Sequence, residues 1–181
     1  MPTMIALLRG INVGGNNILP MERLRAICAS LGLQDAQTLL QSGNVVFRTA
    51  LRDPAALAAR MEDAIEQAFG FRPAVILRTA PELQDAMARN PFSAREGIEP
   101  NRLLVLFLAG HPAAEARQKA LAIKADPEEL HINGRELFIY FPNGMGRPKL
   151  SVAQVERTLK VPGTGRNWNT VMKLMQIAQS L

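Results

Sequence analysis

Apolar positions along this chain switch repeatedly between strand-like runs and helix-like spacing, and each switch marks an element. Met4 to Leu8 is a short apolar run that predicts a first β-strand. Pro20 then suits a first helical position, and Leu24, Ile27, Cys28 and Leu31 keep the i, i+3, i+4, i+7 spacing of one buried helix face until Gly32 stops it. Gln37–Gln41 and Asn44–Thr49 are β-prone runs about a turn at Ser42-Gly43, which reads as a hairpin. Asp53-Pro54 offers a cap and a first residue to a second helix with the stripe Leu57, Met61, Ala64, Ile65 and Ala68, ended by Gly70. Ala74–Arg78 closes this half as a compact strand. The order β-α-β-β-α-β is that of the split-βαβ plait.

Thr79 and Glu82 have the spacing of a capping box, opening a short linking helix with Leu83 and Met87 apolar, broken at Asn90-Pro91. Ser93 to Asn101 reads as a linker. A second cycle follows, beginning with Leu103–Leu108, continuous enough to be a strand buried on both faces. A helix is expected from about Pro112 to Ile123. Leu130–Ile132 and Glu136–Phe141 then flank Asn133-Gly134, a two-residue hairpin signal. Ser151–Leu159 suits a helix and Val161–Gly165 a short last strand. A final helix from about Asn169, with Asn169 as its cap, turns Val171, Leu174, Met175 and Ala178 inward.

The expected fold is therefore α+β, with two tandem ferredoxin-like (split βαβ) subdomains of antiparallel sheet plus a C-terminal helix. Residues 1–80 form the first plait and 81–101 the linking helix and linker. Residues 102–181 form the second plait-like subdomain with the C-terminal helix. The repeat is one of architecture, since the halves share little residue-level similarity.

Composition changes this picture little. Of 181 residues 48% are hydrophobic and only 5% aromatic, so the core must be aliphatic. A formal net charge of +5 permits a polyanionic partner without requiring one. The single Cys28 falls on an apolar helix face, where a reduced, buried thiol is expected. The N-terminus lacks the features of a signal peptide, and no apolar run approaches the roughly 20 residues of a membrane span. A soluble, cytoplasmic protein with no membrane partner is the expectation.

Candidate chemistry lies in three acid-free segments. Arg9 to Asn17, with Asn12, Gly14, Gly15, Asn16 and Asn17, joins the first strand to the first helix. Glycines let backbone approach a ligand closely and asparagines tolerate the left-handed region, so the loop suits either a phosphate-binding nest or a demanding turn. It lacks the glycine-lysine pattern of a P-loop and the spacing of a dinucleotide loop. Ser42-Gly43-Asn44 is a turn with polar side chains. Arg166, Asn167 and Trp168 place a guanidinium beside the only Trp, a workable anion or base-stacking site that also suits an anchor for the last helix. Phe138 and Tyr140 share one strand face, a faint echo of base-stacking strands. The histidines His111 and His131 are too few and too scattered for zinc, so no metal and no cofactor are expected.

Four stretches taken together, Leu7–Met21, Leu39–Phe47, Gly165–Leu174 and Tyr140–Leu150, make the chain resemble the bacterial family known as domain of unknown function 1697. The resemblance runs from Leu7 to about Leu174, and Pro148 stands where the family commonly has Ser. It implies two ferredoxin-like subdomains and no particular activity. The expected function is binding of a phosphate-bearing ligand, a nucleotide or a nucleic acid, through the acid-free loops. The alternatives are a metal-independent enzyme on a small anionic substrate, with Arg166 or Lys149 as electrophile, and a purely structural partner-binding scaffold. The residues leave the oligomeric state open.

Overall fold

The structure is a computed structural model that describes residues 1–181. It divides into two compact units, one of Met1–Gln84 with Lys173–Leu181 and the other of Asp85–Met172. No helix is long and apolar enough to cross a membrane.

The first unit holds β1 (Thr3–Leu8), α1 (Met21–Ser30), β2 (Gln34–Leu39), β3 (Asn44–Arg48), α2 (Pro54–Phe69) and β4 (Val75–Thr79). Its antiparallel sheet runs β2-β3-β1-β4, with the first strand central, the ferredoxin-like order. Met4, Ala6 and Leu8 of β1 join Leu24, Cys28, Leu57, Met61 and Ile65 in one aliphatic core between sheet and helices. The alternate residues Ile5 and Leu7 are equally buried. The capping signals act as their chemistry dictates. Asp53 accepts the N–H of Ala56 at 3.1 Å with Pro54 as first helical residue. Pro20, by contrast, is the extended residue before α1 rather than its first turn. Ala68, expected on the buried stripe of α2, faces solvent, because Leu57, Met61 and Ile65 already fill that face.

Next in the chain comes α3 (Ala80–Ala88). Thr79 and Glu82 form the reciprocal capping box at its start, with bonds of 2.8 and 3.2 Å. The second unit then continues with β5 (Leu103–Leu108), α4 (Ala114–Leu121), β6 (Glu129–Asn133), β7 (Glu136–Tyr140), α5 (Val152–Leu159) and β8 (Gly163–Asn167), and the last helix, α6 (Trp168–Ser180), starts in it and belongs to the first unit from Lys173 on. Its sheet order, β6-β7-β5-β8, repeats the first. Leu106, Leu108, Leu137, Ile139 and Phe141 pack against Val155 and Leu159.

Several local expectations shift by one or two residues. Asn133 pairs with Glu136, so the hairpin loop is Gly134-Arg135 and Asn133 ends the strand. The last strand lies at 163–167 rather than 161–165. Helix α4 is shorter at each end than the expected 112–123.

The repeat extends to individual hydrogen bonds. Leu8 N–H donates to Gly43 O and Leu108 N–H to Arg135 O, both at 2.8 Å; Arg9 N–H donates to Ala74 O and Ala109 N–H to Pro162 O, both at 2.9 Å. The halves differ in most side chains and agree in backbone register.

Candidate functional site

The loop Arg9–Leu19 is a miniature hairpin set on end. Asn12 N–H donates to Asn17 O at 3.0 Å and Asn16 N–H to Val13 O at 2.9 Å, with Val13 and Asn16 bridged. Gly14 and Gly15 form the tip at φ +56° and +77°. Two successive positive φ values are the type I′ pattern, which glycine adopts without strain. The side chain of Asn12 braces the base of this hairpin. Its Nδ2 donates to Leu19 O at 2.9 Å and Gln41 O at 2.7 Å, while Oδ1 accepts Leu19 N–H at 2.8 Å. Asn12 thereby ties the β1–α1 loop to the β2–β3 turn from 29 residues away. Asn17 Nδ2 donates to Gly10 O at 3.0 Å.

The β2–β3 turn is equally fixed. Gly43 sits at φ +83°, and a Cβ there would lie 2.5 Å from Ile11 Cδ1. Only glycine fits. Asn44 is fully buried, and its Nδ2 donates to Leu39 O at 2.7 Å and Ser42 Oγ at 3.0 Å. Of the expected contact groups, Asn12 and Asn44 have both amide hydrogens engaged within the fold, and they act as braces. What the two loops turn outward is Arg9, Gly14, Gly15, Asn16, Asn17 and Ser42, all exposed. The N–H groups of Gly14 and Gly15 enter no hydrogen bond of the protein. No carboxylate occurs from Arg9 to Met21 or from Ala36 to Arg52.

One feature of this surface had only a faint signal in the sequence. Val13, Ile18 and Leu40 are 62, 54 and 53% exposed, and Leu40 holds φ +61°. For a residue other than glycine, asparagine or aspartate that conformation is strained. The available hint was an apolar Leu40 standing directly before the polar turn Gln41-Ser42-Gly43.

In the second unit, Arg166 is a strand residue opposite Val105, nearly buried, and its Nη1 donates to Thr164 Oγ1 at 2.8 Å and Gly165 O at 2.9 Å. Burial pulls its pKa down from the ordinary arginine value to about 10. Asn167, not Asn169, caps α6, its Oδ1 accepting from Thr170 N–H at 3.0 Å and Oγ1 at 3.2 Å. Trp168 is the first residue of α6 and is half-buried.

Phe138 and Tyr140 are both buried, and the Phe92 ring lies 5.7 Å from that of Tyr140, so no base can stack on this strand. Lys149 is exposed, while its N–H and that of Leu150 donate to the buried carboxylate of Glu128 at 3.3 and 3.2 Å. No group of three or more His, Cys, Asp or Glu could hold a metal ion.

Residues 1–138 match the model of a family described as a protein of unknown function, DUF1697. Among solved structures, the conserved bacterial protein SP0830 from Streptococcus pneumoniae superimposes with a TM-score of 0.71 at 24% identity, covering 99% of each chain, and so shares the fold. Among curated proteins nothing matches.

Proposed function

The chain belongs to the DUF1697 family, and we propose that its first plait is a binding module for a phosphate-bearing ligand, a nucleotide or a nucleic acid. The observation that carries this reading is the braced tip at Gly14-Gly15, whose N–H groups have no partner in the protein and which belongs to a loop without a carboxylate. Backbone N–H groups fixed before a ligand arrives bind an anion without the cost of ordering them. Arg9, exposed at the foot of the same loop, adds a fixed positive charge. In this reading Asn12, Asn17 and Asn44 hold the loop in shape, and the contacts fall to Arg9, Gly14, Gly15, Asn16 and Ser42. A lone buried thiol at Cys28 and a phosphate-bearing ligand fit a cytoplasmic setting.

A structural-scaffold reading has its own support, in the asparagine side chains already engaged within the fold. Calorimetric titration with inorganic phosphate separates the two. Saturable binding weakened about tenfold or more by Arg9→Ala fits the loss of one charge-assisted contact. No heat from the wild-type protein discards the binding reading.

A further inference from the structure

We infer that the helical layer of the second plait, α4 and α5 with the segments beside them, docks on the phosphate backbone of double-stranded nucleic acid. This is separate from the phosphate reading of the first plait and uses none of its residues. Its basis is the way two plaits of one architecture divide their charge. The first helical layer, residues 20–32 and 52–72, carries five Arg against five Asp and Glu. There Arg72 pairs with Glu62, Asp63 and Glu66. The second layer, residues 112–124 and 147–160, carries seven Lys and Arg against two Glu, an excess equal to the +5 of the whole chain.

The fold gathers these cations on one surface. Helices α4 and α5 pack side by side, with Ala120, Val155 and Leu159 turned onto Leu106, Leu137 and Ile139 of the sheet. Ile123, Met145, Leu150 and Val161 anchor the flanking segments on the same core. A cleft of about 100 Å³ between the helices has Glu115 and Lys119 on one side and Thr158 and Lys160 on the other. Lys119 pairs with Glu115 at 2.7 Å. The side chains of Arg117, Lys124, Arg147, Lys149, Arg157 and Lys160 enter no ion pair or hydrogen bond of the protein, and all but Arg117 are exposed. Glu156 accepts the N–H of Gly163, and Glu128 is buried beneath the N–H groups of Lys149 and Leu150. Asp126 is the one exposed acid next to the layer. Like charges held on one face repel each other, and an arriving polyanion relieves that repulsion.

The same surface selects among polyanions. Leu121, 49% exposed, is its only large exposed apolar residue, too little to enter a lipid interface or to seat an apolar protein partner. No Phe, Tyr or Trp occurs from Ala109 to Arg135 or from Pro142 to Asn167. Bases of a single strand therefore find nothing to stack on. What the layer offers is cations alone, on two helices about 8–10 Å apart. That arrangement contacts duplex phosphates and leaves the base sequence unread.

The test is fluorescence anisotropy of the full chain with a labelled duplex of about 20 base pairs at rising salt. Saturable binding is expected, with affinity falling linearly with salt on logarithmic axes. Arg157→Gln/Lys160→Gln should weaken binding about tenfold or more at low salt and reduce the salt slope by about two. Arg52→Gln/Arg60→Gln removes the same charge from exposed positions of the first layer, and should change affinity less than about twofold. Absence of duplex binding at about 50 mM salt overturns the inference. Equal weakening by the two double variants also overturns it, because net charge alone then carries the contact. Tighter binding to the single strand, or binding to phosphatidylserine vesicles without binding to the duplex, reassigns the layer and overturns it. Duplex binding lost in Arg9→Ala but kept in Arg157→Gln/Lys160→Gln overturns it too and leaves the phosphate reading standing.

Discussion

Arg78 and Arg166 occupy the same position in the two plaits. Each is the fourth residue of its sheet's last strand, opposite the third residue of the central strand, Ile5 in one case and Val105 in the other. Each guanidinium donates to the carbonyl of the preceding residue at 2.9 Å, Leu77 and Gly165 respectively. Each is followed by a capping side chain, Thr79 or Asn167, and then a helix. Arg166 and Asn167 thus repeat the strand-end arrangement of Arg78 and Thr79. Truncation of a buried, hydrogen-bonded cation strands its partners. Arg166→Ala is therefore expected to lower unfolding free energy by about 3–5 kcal/mol in urea denaturation, and volume-retaining Arg166→Met by clearly less.

Asn12 is expected to behave as a brace. Asn12→Ala removes three hydrogen bonds and places alanine at φ +53°. A loss of roughly 2–4 kcal/mol is expected from chemical denaturation. Asn12→Asp removes both donated bonds while keeping the acceptor, and should recover only a minor part.

Gly43 and Ile11 form a steric pair. Gly43→Ala meets Ile11 Cδ1 at 2.5 Å in a left-handed conformation, and should cost roughly 2–4 kcal/mol. Ile11→Val removes that methyl. The double variant is expected to be less destabilised than the sum of the single ones, a coupling of about 0.5 kcal/mol or more in a double-mutant cycle. Strict additivity contradicts the contact.

Cys28 carries a pH signature. Burial raises its thiol from 9.0 to about 12. The folded protein therefore retains a proton that the unfolded chain gives up above pH 9. The stability this provides is fully present below pH 9 and is lost as pH rises toward 12, with a slope of up to about 1.4 kcal/mol per unit. Denaturation of wild type and Cys28→Ala across pH 8 to 11 should show that component only in the wild type. A thiol reagent at pH 8 should label Cys28 rapidly in urea and slowly in the folded state.

Much of the fold was legible because its signals are local. The spacing of Leu24, Cys28, Leu57 and Met61, and caps such as Asp53 and Thr79, act within one or two turns of chain. The hairpin at Gly134-Arg135 was misplaced by one residue because an Asn-Gly pair does not itself say which of the two ends the strand. The site was less legible. Nothing local distinguishes an asparagine that meets a ligand from one that braces a turn, and the partner that makes Asn12 a brace is 29 residues away. The equivalence of Arg78 and Arg166 was hidden for a similar reason, since it lies in pairing register rather than in neighbouring residues.

The binding reading depends on two backbone N–H groups meeting an anion, and amide-resolved nuclear magnetic resonance observes those groups directly. Titration of uniformly nitrogen-15-labelled protein with inorganic phosphate is expected to move the Gly14 and Gly15 amide resonances most, saturably, with smaller shifts at Arg9 and Asn16. Shifts absent from this tip, or centred elsewhere in the chain, contradict it.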